Sequence, residues 1–164
     1  DTISDNAAMG AMVYGGNPMP VGAVDLRWVG ALLYRNEVIE ETGVAPEVNQ
    51  VELHPDFQQR ALRAVHARMG IATESWSPLG QGKLLDHPVV GAVARKHGRT
   101  AAQVIVRWHI EHGLIVIPKS VTPSRIEQNF QVFDFSLDAD DLAAMDALDS
   151  PDARIGPDPM TATF

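Results

Sequence analysis

From residue 26 onward, short apolar runs alternate with stretches in which apolar side chains recur at helical spacing. Alternation of that kind is the signature of successive strand–helix units on a parallel sheet, and four units can be placed. The first joins a strand over 26–31 to a helix over 35–42, which Gly43 ends as a left-handed cap. The second joins 47–53 to a helix over 57–69, closed by Gly70 in the same way. The third strand, 71–76, runs into a loop rich in Gly and Pro over 77–83, before helices over 87–97 and 100–112. Thr100 is placed to cap the second of these through the unpaired N–H groups of its first turn, and Gly113 follows its last turn. The fourth strand, 114–118, leads to a helix opening at Thr122 and Pro123, where proline's fixed φ and missing N–H suit the first helical position. A last helix is expected over 138–148, capped by Asp138, with Leu137 and Leu142 spaced as an apolar staple across the cap. Residues 1–25 hold Gly10, Gly15, Gly16, Pro18, Pro20 and Gly22 among small apolar residues and read as turns with a hairpin.

Composition narrows the class. The 164 residues are 45% hydrophobic, enough for one domain with a true core. With no cysteine there is no disulfide framework, thiolate metal site or cysteine nucleophile. An excess of acids, 21 Asp and Glu against 13 Lys and Arg, argues against a surface built to hold nucleic acid or an acidic membrane, and leaves room for a local basic pocket. No run approaches the roughly 18 apolar residues of a membrane span, and residues 1–20 lack a charged stretch followed by an apolar one, so a cytoplasmic location is expected.

Functional groups in parallel strand–helix architectures gather at the carboxyl ends of strands, and those positions are polar here. Glu52-Leu53-His54-Pro55 ends the second strand, with Gln50 inside it; Trp76-Ser77-Pro78-Leu79-Gly80-Gln81-Gly82 follows the third. Lys119-Ser120-Val121-Thr122 follows the fourth, with Arg125, Gln128 and Asn129 on the next helix. Lys119 and Ser120 stand just before a helix N-terminus whose free N–H groups and dipole favour an anion, and Arg125 lies in its first turn, so a phosphate is the natural ligand. The competing reading is that both cations are ordinary solvated charges. The glycines after Trp76 permit close backbone approach, and an exposed indole at a strand end can stack on a flat ring. His109 and His112 have i, i+3 spacing without a third ligand and are expected as a surface or partly buried pair; no metal site is assigned. Asp140, Asp141 and Asp146 are expected as a solvated helix face, and His54 as a structural residue of its loop.

Three segments together resemble the aldo-keto reductases: Val48-Asn49-Gln50-Val51-Glu52-Leu53-His54-Pro55, Trp76 to Gly82, and Ile117-Pro118-Lys119-Ser120-Val121-Thr122-Pro123. The closing Arg154-Ile155-Gly156-Pro157-Asp158-Pro159 is similar to the tail of bacterial members of the diketogluconate reductase type, and the likeness covers about 37–164. The resemblance implies an α/β fold, the (β/α)8 TIM barrel. Residues 26–164 would be its C-terminal half, made of about the last four strand–helix units plus a C-terminal helix and tail, with 1–25 a separate irregular or hairpin segment. It implies NADPH as cofactor and a small-molecule carbonyl, an aldehyde or ketone, as substrate. In the family the residue matching Gln50 bonds the nicotinamide carboxamide and the one matching Trp76 stacks on the nicotinamide. Ser77, Leu79 and Gln81 match positions along the pyrophosphate. Lys119, Ser120, Thr122 and Arg125 match the grip on the adenosine 2'-phosphate, with Val121 in the same segment, and Gln128 and Asn129 match residues at the adenine.

The sequence also departs from the family. A whole barrel of this kind takes about 250 residues. The family's catalytic Asp, Tyr, Lys and His come from its first half, whereas the first lysine here is Lys83 and the first histidine is His54. Asp1 and Tyr14 echo the first catalytic segment at the wrong spacing, and Ala31-Leu32-Leu33-Tyr34 replaces the family's V-S-N-F. The catalytic residues are therefore unassigned. The alternative to a reductase is a non-catalytic NADP-binding or structural half-barrel. Half a barrel leaves two open sheet edges and a bare apolar face, so self-association is the physical expectation, with neither nucleic acid nor a membrane as partner.

Overall fold

The computed structural model describes residues 12–14, 17–19, 34–35, 38–39, 46–159 and 161. The chain divides into two compact units, one of 1–46 with 158–164 and one of 47–157. In the first, β1 (Met12–Tyr14) pairs antiparallel with β2 (Asn17–Met19), and β3 (Tyr34–Arg35) with β4 (Val38–Ile39). The β3–β4 ladder corrects the helix expected over 35–42. Tyr34, Val38 and Ile39 are aromatic or β-branched, types that favour a pleated strand and lose χ1 freedom in a helix. The strand expected over 26–31 and the cap at Gly43 lie outside the described residues.

The second unit is built on three parallel strands in the order β5 (Val48–Glu52), β6 (Ala72–Trp76), β7 (Ile115–Val116). Helix α1 (Arg60–Met69) connects the first two strands; α2 (Pro88–His97) and α3 (Ala101–Glu111) connect the last two. Helices α4 (Pro123–Phe130) and α5 (Ala139–Asp146) follow. The boundaries obey local chemistry. Gly70 ends α1 at φ 71°, in the left-handed region that a glycine adopts without cost. Thr100 and Gln103 form a reciprocal capping box on α3, with Gln103 N donating to Thr100 Oγ1 at 3.2 Å and Thr100 N to Gln103 Oε1 at 3.0 Å. Asp138 and Asp141 repeat the device on α5.

The core lies between the helices and one face of the sheet, where Leu53, Leu84, Val90, Val104, Ile105, Trp108, Leu137 and Met145 pack together. Trp108 is wholly buried, and its indole N–H donates to Asp146 Oδ1 at 2.8 Å, so the ring's one polar atom is satisfied. Two surface expectations are corrected here. His109 is fully buried, with Nδ1 2.8 Å from the Ile105 carbonyl, because its helix turns that face into the sheet. Asp141 is buried rather than solvated: Lys96 donates to it at 2.8 Å and His97 Nε2 lies 2.7 Å away, tying α2 to α5. Asp140 remains exposed. Among the described residues no helix is long and apolar enough to cross a membrane.

Candidate active site

Because the three strands are parallel, their carboxyl ends lie along one edge of the sheet, and the polar segments singled out from the sequence all leave from that edge. Register sets the details. Glu52 stands opposite Trp76 and Gln50 opposite Glu74, so with alternate side chains these four share one face, away from the helices. Gln50 is exposed and donates from Nε2 to Glu74 Oε1; its amide oxygen has no partner among the described residues. Trp76, the last residue of β6, is half-buried.

The segment after Trp76 turns sharply. Ser77 and Gln81 adopt φ of 51° and 53°, and Gly80 and Gly82 φ of 57° and 91°, around a 3-10 turn at Gly80–Gly82. Two non-glycine residues in the left-handed region mark a backbone held by its surroundings. Leu79 points back against the core, while Gln81 is exposed. The loop thus has one anchored and one open side.

Beyond β7, Lys119 and Arg125 are exposed, and neither has an ion-pair partner among the described residues. Ser120 Oγ accepts from Thr122 N at 3.2 Å. The amides of Arg125 and Ile126 both donate to the Thr122 carbonyl at 3.0 Å, and Pro123 has no N–H. Most backbone donors expected to be free at this helix start are therefore engaged, and the capacity to hold an anion rests on side chains. Val121 is 83% exposed and Gln128 is exposed, while Asn129 is half-buried. A cavity of about 480 Å³ brings Lys119, Ser120 and Asn129 together with Ile117, Ile126 and Phe130, an apolar hollow with a cation at its rim. A separate cavity of about 500 Å³ runs along α1, beside Arg60, Arg63, His112 and Asp146, and none of the sequence-selected site residues line it. Burial there lowers the Arg63 pKa, with Asp146 opposing.

A sequence model of the aldo/keto reductase family matches residues 33–150. The chain belongs to the aldo/keto reductase family. An aldo-keto reductase of Mycobacterium sp. strain JLS is 58% identical over 127 residues, covering 77% of this chain and 46% of the relative. The methylglyoxal reductase DkgA of Yersinia pestis is 54% identical over 124 residues, 74% of this chain and 44% of that protein. The crystal structure of a Gox0644 mutant in complex with NADPH superposes with a TM-score of 0.74 at 58% identity, over 75% of this chain and 45% of that one. This aldo/keto reductase chain thus spans about 45% of the length of the relatives it matches. The family fold is the (β/α)8 barrel, and the parallel strands and helices described above form part of it.

Three groups that the sequence names without linking them come together at these strand ends of the aldo/keto reductase chain. Glu52 is buried and binds the backbone of the C-terminal tail, His54 stands beside it, and Gly156 lies against the Trp76 ring. Glu52 lies two residues beyond Gln50 on the same strand face, a signal for its site-facing position, while nothing local in the sequence signals its contact with the tail.

Proposed function

We propose that this chain carries the cofactor-binding half of an NADPH-dependent carbonyl reductase. The observation that carries the reading is the pair of exposed cations, unpaired among the described residues: Lys119 at the rim of an apolar cavity and Arg125 in the first turn of α4. Two cations with a hydroxyl from Ser120 or Thr122 suit a phosphate monoester, and the hollow walled by Ile117 and Ile126 suits a flat heterocycle. At the other end, the indole of Trp76 supplies an aromatic wall and the Gln50 amide oxygen an acceptor for a carboxamide. When bound, NADPH would supply the hydride for reduction of an aldehyde or ketone. The chain's own residues bind and orient it; a proton donor for the developing alkoxide is not assigned among them.

The test is a fluorescence titration of the chain with NADPH and with NADH. Saturable binding that favours NADPH is expected. Arg125→Ala should weaken NADPH by roughly tenfold, the loss of one charge-assisted contact, and leave NADH nearly unchanged, because only the former carries the 2'-phosphate. Equal losses for both would remove the assigned role.

A second feature favours association. Ile117, Phe130 and Phe133 are 55%, 73% and 71% exposed, and among the described residues β5 and β7 each pair on one side only. We infer that the chain by itself self-associates through this surface and these edges.

A further inference from the structure

At the carboxyl ends of β5 and β6 the C-terminal tail returns to the sheet, and its attachment runs through one side chain that the cofactor reading does not use. The buried carboxylate of Glu52 divides its oxygens between two successive amides: Ile155 N donates to Oε1 at 2.5 Å and Gly156 N to Oε2 at 2.9 Å. His54 Nε2 lies 3.2 Å from the same Oε1, and His54 Nδ1 contacts Asp56, so the imidazole braces the carboxylate from behind. Flanking contacts extend the grip. The Arg154 guanidinium lies 4.7 Å above the Phe57 ring, and Ile155 reaches toward Gly80 in the loop after Trp76.

Gly156 meets the indole itself. A Cβ at this position would collide with Trp76 Cη2 and approach Glu52 Oε2 to 2.8 Å, so only glycine lets the tail backbone lie this close to both. Glu52 and Trp76 are register partners on adjacent strands, which puts the carboxylate and the ring it acts on at one level of the sheet. A buried carboxylate that accepts two amides is strongly directional, because losing either donor leaves charge without compensation.

We propose that Glu52, braced by His54, is a positioning residue for Trp76: by holding the Ile155 and Gly156 amides it seats Gly156 against the benzo edge of the indole and so sets the ring orientation presented to the cofactor. This rests on the reading of Trp76 as the wall of a nicotinamide site, and adds that the ring is held from the C-terminal tail through a strand carboxylate.

The test uses the whole chain labelled with 5-fluorotryptophan, whose three tryptophans give three fluorine resonances, with that of Trp76 assigned from Trp76→Phe. Glu52→Gln offers one acceptor to two amide donors, and Gly156→Ala forces the tail away from both the indole and the carboxylate while leaving the Glu52 side chain unsubstituted. Each is expected to shift or broaden the Trp76 resonance, leave that of Trp108 in place, and weaken NADPH by roughly two- to tenfold, the cost of ordering a side chain on binding. The double variant should be no worse than the more severe single one, since both break the same attachment. An unmoved Trp76 resonance in both variants, or losses that multiply, overturns the proposal; a moved resonance with unchanged NADPH affinity overturns the role in cofactor binding. If the unsubstituted chain binds no NADPH, the cofactor reading fails, and the fluorine measurement still decides whether Glu52 orders the indole. Should Glu52→Gln not fold, Glu52→Asp, which keeps the charge and shortens its reach to the two amides, takes its place.

Discussion

His109 shows how a single buried group ties the fold to pH. Burial pushes its imidazole down to about 4, against the smaller opposing effect of the Ile105 and Leu53 carbonyls. The unfolded chain takes up this proton near 6.5, whereas the folded chain resists until about 4. The stability it contributes is therefore complete above 6.5 and is lost as pH falls toward 4, by at most about 1.4 kcal/mol per pH unit. His109→Gln should flatten the dependence of urea-unfolding stability on pH in that window. Some slope should persist, because burial also lowers the pKa of His66. The Asp138 carboxyl belongs to a lower window: the hydrogen bond from Lys96 and the Asp141 amide hold it near 2, so its contribution disappears only as pH falls below the usual carboxylate range. An unchanged slope between pH 6.5 and 4 in the His109 variant would remove the assignment.

Elements that were legible carry their instructions locally. Thr100 announces the start of α3, and the structure adds Gln103 to complete a capping box with both of its bonds. Thr100→Ala should cost about 1 kcal/mol in chemical denaturation, the usual loss for an N-cap side chain, with a two-state transition retained. A change within a few tenths would mean that tertiary packing alone holds that end of the helix. At Tyr34–Arg35 and Val38–Ile39 helical spacing and β-branched strand preference compete over a short run, and the structure pairs the two segments as strands. The strands suffered less. β5 and β6 lie within their expected ranges, while β7 is only Ile115–Val116, since pairing with β6 reaches no further.

For the whole molecule the decisive feature is the surface that the described sheet and α4 leave uncovered. Ile117, Phe130 and Phe133 are exposed around the same hollow, and an apolar cluster of this kind is a candidate contact surface. Sedimentation velocity on the chain alone should show species heavier than 17.8 kDa that grow with concentration, and replacing Phe130 and Phe133 by serine should shift the distribution toward the single chain. A monomer at every concentration would count against association through this face. The result would also bear on cofactor binding, because Phe130 lines the same cavity as Lys119 and Asn129.

Family membership, the parallel strand–helix order from β5 to β7 and the cluster of polar residues at strand ends were determined by the sequence itself. Each depends on contiguous segments: a capping residue next to its helix, alternation along one strand, a basic pair beside a helix start. Tertiary structure alone decided that His109 is buried, that Asp141 binds Lys96 instead of facing water, and that Glu52 holds amides more than a hundred positions away. Those contacts join residues whose separation along the chain leaves no local pattern. The register of Glu52 with Trp76 and the return path of the tail bring them within hydrogen-bond reach, and both exist only once the sheet has formed.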